Sequence, residues 1–357
     1  MTTDEKLKLI SEVGEEIVTM DELRALLDSG EELIAYDGFE PSGQMHLGQG
    51  IFRAINVNKM TKCGIKFKML VADWHAYANN KMGGDLEKIK ITGKYLIEIW
   101  RACGMDLDNV EFVWASDLVK TPGYWELVLK IAKTNNLKRF IRCAEIIGRE
   151  ESMDLTGAQI IYPCMQAADI FMLGAKITQL GMDQRKVNML AREIGHQLNY
   201  WKPVVISNHL IMGLTKPSTQ TDKVKKTIEM KMSKSKPDTA IFMTDTFEEI
   251  KRKINKAYCL EGDIKDNPVL EYCKYIIFEK YDALIIERAE KFGGTITLHS
   301  YEELEKMFAQ KMIHPMDLKT SVALLIDKLL QPVRKHFTEN TEACALLEQV
   351  KSFAVTR

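Results

Sequence analysis

The chain has 357 residues, of which 46% are hydrophobic and 28% are charged, and this is the balance of a folded soluble protein rather than a disordered one. Its formal net charge is -1, so no global basic field indicates a nucleic-acid partner, and such a partner would have to bind a local patch. The length predicts a large core with an appended second domain.

The cysteines and the N-terminus indicate the cellular setting. Seven cysteines, odd in number and without a CxxC pair, favour reduced thiols and argue against a zinc site, so no metal site is expected. The first thirty residues carry charges every few positions, and no stretch approaches the roughly 18 apolar residues of a spanning helix. We therefore expect a cytoplasmic enzyme that makes no membrane contact.

Residues 4–29 predict two short amphipathic helices, with Leu7, Ile10 and Val13 at helical spacing in the first. After them, short apolar runs alternate with longer helical patterns. The predicted strands are 32–36, 65–73, 109–116, 176–180 and 203–208. The predicted helices are 47–62, 85–103, 123–134, 137–148, 158–173 and 184–199. This alternation predicts an α/β fold whose parallel sheet has helices on both faces.

From about Glu248 the alternation stops and helical patterns dominate, at 247–257, 267–279, 301–310 and 316–338. The change predicts a second, helical domain joined to the first by a polar segment. We expect four parts: an N-terminal helical extension (1–30), a catalytic domain (31–213), a linker (214–245) and the C-terminal helical domain (246–357).

The stretch GFEPSGQMHLGQG, residues 38–50, follows the first predicted strand. Its glycines allow a close turn, and a helix is expected to begin near residues 46–48. His46 and Gln49 would then lie one turn apart at a helix N-terminus, where backbone N–H groups and the helix dipole favour a phosphate. The stretch matches neither GxGxxG nor the Walker pattern, and a plain strand–turn–helix connection is the alternative.

A second candidate site is EMKMSKSKPD, residues 229–238, in the polar segment. It presents several ammonium groups and hydroxyls, on Lys231, Ser233, Lys234, Ser235 and Lys236. Mobile cations of this kind can stabilise negative charge that builds up on a leaving pyrophosphate. The alternative is a solvated, lysine-rich loop. Together, HLGQ and the later KMSKS resemble the HIGH and KMSKS signatures of class I aminoacyl-tRNA synthetases.

The predicted helix 158–173 is apolar except for one face. Tyr162, Gln166 and Asp169 recur at i, i+4 and i+7 and therefore share that face. A buried helix must satisfy such groups, and a polar ligand is one way to do so. An internal hydrogen-bond network is the other.

This helix, with AYDGFEPSG, VADWHAY, GMDQRK, KFGG and HPMDLK, resembles the tyrosyl-tRNA synthetases of the archaeal and eukaryotic type, over about residues 32–338. The resemblance implies a Rossmann-like catalytic domain followed by an α-helical anticodon-binding domain. It also implies ATP-dependent activation of L-tyrosine with Mg²⁺, transfer to tRNA(Tyr), and a homodimer.

The resemblance assigns roles to individual residues. The tyrosine site would contain Tyr36 and Asp169 at the phenolic hydroxyl, Tyr162, Gln166 and Gln184 at the ammonium group, and Gly38 and His75 nearby. A carboxylate and a tyrosine hydroxyl can together satisfy the donor and the acceptor of a phenol. The ATP site would contain Gly38, His46, Gly48, Gly181, Asp183, Lys231, Ser233 and Lys234. The catalytic set would be His46, Gln49, Lys231 and Lys234.

The same resemblance places Arg185 and Lys186 at the acceptor end of tRNA and Phe292, His314 and Asp317 at the anticodon. Stacking and base-edge hydrogen bonds are the usual means of reading single-stranded RNA. Two alternatives involve only structure. Asp183 with the two cations could be a capped helix start, and Asp317 could cap a helix.

Gln49 departs from the pattern, because bacterial and archaeal relatives carry a second histidine there. A glutamine amide donates a hydrogen bond but carries no charge. Three other functions remain open from the sequence. A tryptophanyl-tRNA synthetase shares both signatures, a non-catalytic RNA-binding relative would lose the lysines or the pocket polar groups, and a nucleotidyltransferase would not explain the pocket helix.

Overall fold

A computed structural model describes residues 1–143, 155–218, 220, 226, 229–234 and 237–353. Two sequence predictions fall partly beyond these ranges. The predicted helix 137–148 is described only as Leu137–Cys143. Ser235 and Lys236 of the lysine cluster lie outside the described residues.

Six strands form the central sheet in the order β1-β6-β5-β2-β3-β4. They are β1 (Gly14–Val18), β2 (Ile34–Phe39), β3 (Lys66–Val71), β4 (Val110–Trp114), β5 (Ile177–Gly181) and β6 (Val204–Asn208). Neighbours among β2 to β6 pair in parallel, and these five strands are the five that the sequence predicts. The α/β prediction with a Rossmann-like parallel sheet is confirmed.

The strand β1 was not predicted. It pairs antiparallel with β6, with Ile17 opposite Ile206 and Val18 opposite Val205. The sequence analysis assigned Val13 to the first helix, but that helix ends at Ser11. Two glutamates and two apolar residues make β1 a short edge strand without a clear alternating pattern, which is why its sequence gave no strand signal.

Helices cover both faces of the sheet. In chain order they are α1 (Thr3–Ser11), α2 (Met20–Asp28), α3 (Ile51–Lys62), α4 (Asp73–Ala78), α5 (Leu86–Ala102), α6 (Ala115–Leu118), α7 (Tyr124–Thr134), α8 (Leu137–Cys143), α9 (Gly157–Met172) and α10 (Arg185–Ile194). Capping boxes begin α1, α2 and α9, at Thr2, Thr19 and Thr156. The short helices α4 and α6 were not predicted.

The C-terminal part is mainly helical, as predicted. Its helices are Phe247–Lys256, Pro268–Tyr272 continuing through a π turn into Phe278–Lys280, Tyr301–Ala309, Pro315–Glu339 and Thr341–Ser352. The sequence analysis missed the last helix and a small hairpin of β7 (Leu284–Ile286) and β8 (Ile296–Leu298). This part shares one continuous apolar core with the sheet face that carries Ala35 and Phe67.

The strand order changes direction between β2 and β5, whose connections run to opposite edges of the sheet. Ligands of open parallel sheets bind at such a point, beyond the carboxyl ends of the strands. Successive residues of β2 face opposite sides: Ala35 joins one core and Tyr36 the other, beneath α9. The end of β2 can therefore present side chains to both sides of the cleft.

Candidate active site

A cleft opens at the carboxyl ends of β2 and β5. Its walls contain most of the residues that the sequence analysis assigned to tyrosine and ATP: Tyr36, Gly38, His46, Gly48, Gln49, His75, Tyr162, Gln166, Asp169, Gly181, Asp183, Gln184 and Lys231. These residues come from segments far apart in the chain. The predicted tyrosine and ATP sites are therefore adjacent parts of one cleft.

The glycine-rich turn differs from its prediction. The helix after it begins at Ile51, not near residues 46–48, and Gly50 precedes it with non-helical dihedral angles. The backbone from Met45 to Leu47 instead pairs with residues 241–243: the amide of Leu47 donates to Ile241 O at 2.8 Å, and that of Met243 donates to Met45 O at 2.9 Å. Directly after this pairing, the amides of Gln49 and Gly50 donate to His46 O at 2.9 and 3.0 Å, so the HLGQ residues form a tight turn at the cleft.

His46 begins this turn and is half-buried, with its Nδ1 shielded from solvent. Burial, and then the ammonium groups of Lys234 and Lys231, lower its pKa well below the ordinary value. Among the described residues, nothing hydrogen-bonds its Nδ1. A neutral imidazole with an unused nitrogen can donate a hydrogen bond to a phosphate oxygen.

Asp169 lies at the inner end of the cleft and is fully buried. Its Oδ1 accepts a hydrogen bond from the Tyr124 hydroxyl at 2.8 Å, and its Oδ2 lies 2.9 Å from His75 Nε2. The contact with His75 is close but not aligned as a hydrogen bond. Burial opposes protonation of His75, but Asp169 outweighs it and raises the histidine's pKa. Within the described ranges of the chain, Asp169 Oδ2 thus has no aligned hydrogen-bond donor.

Tyr36 is the other residue predicted at the phenol. Its side chain is buried, and burial followed by the charge of Asp169 raises the pKa of its hydroxyl well above the ordinary value. The hydroxyl is therefore protonated and can donate. A donor from β2 and an acceptor from α9 thus meet at the same end of the cleft.

The other residues of the predicted tyrosine site are polar. The Tyr162 hydroxyl donates to Glu40 Oε1 at 2.8 Å, and Gln166 Nε2 donates to Gln184 Oε1 at 3.1 Å. The sequence analysis missed Glu40, although this residue lies within the quoted glycine-rich stretch. A carboxylate directly after a strand end was the available signal. Oxygen atoms from these residues could accept hydrogen bonds from a substrate ammonium group.

The predicted ATP residues lie on the opposite side of the cleft. The Lys231 ammonium donates to Asp183 Oδ2 at 2.8 Å, and the Lys234 ammonium donates to Ser42 Oγ at 3.2 Å. The segment that carries these lysines, residues 230–234 and called the lysine strand below, therefore lies across the glycine-rich turn. A Cβ at Gly181 would come within 2.6 Å of Asp183 Oδ1 and Leu210 Cδ2, so a larger residue there would displace the ends of these two side chains.

A buried ion pair stabilises the strand ends that form the cleft. Arg53 of α3 lies 3.1 Å from Asp37 Oδ2 and donates to Asn208 Oδ1 and to the carbonyl of Gln179. Burial raises the pKa of Asp37 to about 6, partly offset by Arg53. This network, which the sequence analysis missed, joins the ends of β2, β5 and β6.

The residues assigned to tRNA lie elsewhere. Arg185 pairs with Glu16 of β1, at 2.5 and 2.9 Å, so its guanidinium already has a carboxylate partner. Phe292 is 64% exposed. His314 caps the helix Pro315–Glu339 by accepting from the Met316 amide, and Asp317 lies in the first turn of that helix. The cap at this helix is therefore His314, whereas the sequence analysis considered Asp317.

Neither a metal-binding cluster nor a membrane-spanning helix is found among the described residues. In the part of the chain that the structure describes, no three His, Cys, Asp or Glu side chains converge so that they could hold a metal ion. Within the same ranges, no helix has both the length and the apolarity needed to cross a membrane.

Comparison with known proteins gives a family match. Residues 28–331 match the family model described as tRNA synthetases class I (W and Y). The chain is 47% identical over 357 residues to tyrosine–tRNA ligase 1, cytoplasmic, of Arabidopsis thaliana, covering 99% of this chain and 90% of that protein. It is 43% identical over 362 residues to the tyrosine–tRNA ligase of Sulfurisphaera tokodaii, covering 100% and 99% of the two chains.

Solved structures agree in fold. The tyrosyl-tRNA synthetase of Pyrococcus horikoshii, complexed with L-tyrosine, has a TM-score of 0.90 at 36% identity, covering 98% of this chain and 100% of that one. The Leishmania major enzyme, in complex with tyrosinol, has a TM-score of 0.89 at 44% identity. The match covers 99% of this chain and 52% of the Leishmania chain, so this chain spans about half of that protein's length.

Proposed function

Because the chain belongs to the class I tRNA synthetases for tryptophan and tyrosine, we propose that it activates L-tyrosine with ATP and transfers the tyrosyl group to tRNA(Tyr). One observation carries the choice of tyrosine. Tyr36 offers a donor and Asp169 an acceptor at the closed end of the cleft. A phenolic hydroxyl uses both, whereas an indole N–H can only donate.

In the proposed reaction, the tyrosine carboxylate attacks the α-phosphorus of ATP in line, and pyrophosphate leaves. A ribose hydroxyl of the terminal tRNA adenosine then attacks the adenylate carbonyl, and AMP leaves. No protein nucleophile is required. Catalysis comes from positioning and from charge stabilisation, with His46 at the phosphates and Lys231 and Lys234 on the β- and γ-phosphates.

The tyrosine roles proposed for Gly38, His75, Tyr162, Gln166 and Gln184 are supported by their places in the cleft wall. Asp183 is proposed to bind the ATP ribose, with Gly48, Gly181 and Ser233 around the nucleotide. Mg²⁺ is proposed to enter with the ATP phosphates. For tRNA, we propose Arg185 and Lys186 at the acceptor end and Phe292, His314 and Asp317 at the anticodon.

The proposal also covers the boundaries of the four parts, the cellular location and the role of the helical part. The part boundaries after residues 30, 213 and 245 are supported by the change from alternating to helical structure. A cytoplasmic location is supported by the Arabidopsis relative, which is named a cytoplasmic enzyme. The anticodon role of the helical part is supported by the exposure of Phe292.

The test of the activity is pyrophosphate exchange into ATP with each of the twenty amino acids. We expect exchange with tyrosine and, under the same conditions, none above background with phenylalanine. Exchange that prefers tryptophan would refute the substrate assignment. A complete absence of exchange would favour the non-catalytic RNA-binding function instead.

His46→Ala should slow adenylate formation more than Gln49→Ala does. The His46 imidazole has a buried, unused nitrogen beside the two lysines, and losing one positioned donor at a reacting phosphate costs about 10²-fold or more. Gln49 acts partly through its backbone, whose carbonyl accepts from Trp100 Nε1 at 2.9 Å, and alanine keeps that carbonyl. Single-turnover adenylation measures both rates, and equal losses would contradict this ranking.

ATP binding should take up a proton at Lys234. Burial and the nearby Lys81 ammonium lower the pKa of Lys234 to about 7, so at pH 8 it is mostly neutral in the free protein. Phosphate oxygens favour the charged form and raise this pKa, so uptake approaches one proton per site. Calorimetry of ATP binding in two buffers of different ionisation enthalpy, without amino acid, measures the uptake.

The matched control for this experiment is Lys234→Arg. Arginine keeps the positive charge but does not titrate in this range, so uptake should disappear while ATP still binds. Undiminished uptake in the arginine variant would assign the proton to another group.

We propose that α7 and α8 contribute to a homodimer interface. Trp125 and Leu129, four residues apart on α7, are 48% and 69% exposed, and Leu137 at the start of α8 is also exposed. Exposed apolar clusters of this kind mark interfaces. The double variant Trp125→Glu, Leu129→Glu should halve the mass measured by light scattering. Leu260→Glu, an equally exposed leucine in the helical part, should leave it unchanged, and a monomeric wild type would refute the proposal.

A further inference from the structure

His209 joins three separate parts of the chain. It follows β6, and its Nδ1 lies 2.5 Å from Glu15 Oε1 of β1, while its Nε2 contacts Glu271 Oε1 of the helix Pro268–Tyr272. The imidazole also stacks on Tyr275, with ring centroids 4.4 Å apart. The N-terminal strand, the sheet and the helical part therefore meet at this one ring.

The ring is charged at neutral pH. Burial opposes the charge, but the hydrogen bonds to Glu15 and Glu271 outweigh it and raise the pKa of His209 to about 9. Both ring nitrogens then donate, each to a carboxylate. The other charged groups in the groove beside His209 are Lys226, which pairs with Asp266, and the side chains of Lys274 and Glu305.

The same carboxylate holds the backbone three residues further on. The amide of Met212 donates to Glu271 Oε1 at 3.0 Å, and the carbonyl of Met212 accepts from the Tyr272 hydroxyl at 3.1 Å. Both backbone groups of Met212 are thus bonded to the helical part. His209 Nε2 contacts the same carboxylate oxygen and thereby fixes its position against the Met212 amide.

The opposite edge of this segment pairs with the lysine strand. The amide of Gly213 donates to Met230 O at 2.7 Å, and the amide of Met232 donates to Ile211 O at 2.9 Å. These bonds place Met212 directly opposite Lys231. A shift of residues 209–213 would therefore move the Lys231 backbone and its ammonium, which pairs with Asp183.

Resting on the proposed function, we propose that His209 is a positioning residue for adenylate formation. Held between Glu15 and Glu271, it fixes the segment 209–213, and this segment holds the strand 230–232 so that Lys231 reaches the ATP phosphates. His209 also lines the cleft, but both of its ring nitrogens are bonded to carboxylates, so it acts through the backbone and Lys231 rather than by binding ATP itself.

The principal variant is His209→Gln, because a neutral amide cannot supply the positive charge that lies between the Glu15 and Glu271 carboxylates. In tyrosine-dependent pyrophosphate exchange, we expect the KM for ATP to rise by about fivefold to tenfold while the KM for tyrosine stays within about twofold. A purely structural defect would lower the melting temperature without separating the two KM values. Equal changes in both KM values would overturn the proposal.

Lys59→Gln is the matched control. Lys59 also bridges two carboxylates, Glu12 at 3.0 Å and Glu279 at 2.7 Å, and so joins the N-terminal segment to the helical part through other residues. It should leave the KM for ATP unchanged. An equal rise in this variant would show that any loosening of the contact between these parts suffices, and would overturn the specific role of His209.

A double-mutant cycle tests the route through Lys231. In a Lys231→Met background, His209→Gln should have little further effect on ATP, because the group it positions is absent. An undiminished effect would overturn the proposal.

Calorimetric ATP affinity, measured without amino acid, separates this proposal from the proposed function. If the wild type exchanges no pyrophosphate with tyrosine but His209→Gln still weakens ATP binding while Lys59→Gln does not, the activity is refuted and the positioning role stands. Equal ATP affinities of wild type and His209→Gln overturn the positioning role whatever the exchange result.

Discussion

Replacing Lys231 by methionine should slow tyrosyl-adenylate formation by about 10²–10³-fold while leaving tyrosine affinity almost unchanged. Methionine keeps the length and the apolar part of the side chain but removes the charge that would stabilise the leaving pyrophosphate. The Lys231 ammonium lies in the part of the cleft proposed to bind ATP, where it is bonded to Asp183. The loss therefore falls on the binding of ATP and on the transition state rather than on amino-acid binding.

Rapid-quench measurement of the adenylate in a single turnover gives this rate, and tyrosine-induced fluorescence change gives the affinity. Lys234→Met should show a loss of similar size, because its ammonium lies across the glycine-rich turn at Ser42. Lys216→Met, which removes an exposed lysine from the same polar segment, is the control and should react at the wild-type rate. A slowed control would show that the linker matters generally and that charge at position 231 does not.

Tyr36→Phe should reduce the discrimination between tyrosine and phenylalanine by at least about 10-fold, and Asp169→Asn by more. Sites that hydrogen-bond a substrate hydroxyl reject the analogue lacking it by about 10⁴–10⁵, a figure that comes from tyrosyl enzymes themselves. The rejection arises because phenylalanine leaves buried polar groups unpaired. Asparagine at 169 also removes the charge that His75 contacts at 2.9 Å.

Tyr162→Phe is the matched control, because it removes the same hydroxyl from the other end of the pocket, where it donates to Glu40. It should weaken the activation of tyrosine and phenylalanine equally and leave their ratio unchanged. The ratio of kcat/KM for the two amino acids in pyrophosphate exchange measures all three variants. If this ratio changed for Tyr162→Phe but not for Tyr36→Phe, the substrate phenol would lie near Tyr162, and its assignment to Tyr36 would be refuted.

The sequence predicted the five parallel strands because each combines a short apolar run with a following helical pattern. It also predicted the polar face of α9, where period 3.6 brings Tyr162, Gln166 and Asp169 to one side. These side chains do line one cleft. Local periodicity was sufficient for both results, since each depends on residues close together in the chain.

Other features depend on partners far away in sequence and were missed for that reason. The strand β1 exists because β6 offers it a pairing edge, and His46 lies outside the following helix because residues 241–243 pair with the backbone of residues 45–47. Likewise, Arg53 is identified as important only once Asp37, Gln179 and Asn208 surround it. No window of sequence contains both members of these pairs.

The alternation of β2 has a consequence for engineering the amino-acid pocket. Tyr36 faces α9 and the amino-acid side, whereas Asp37, the next residue, faces Arg53 on the opposite side of the sheet. Libraries that vary residue 36 to admit larger phenols can therefore leave the supporting ion pair intact. A single-residue deletion within β2 would instead exchange the two faces, placing the carboxylate in the pocket and the phenol against a buried guanidinium.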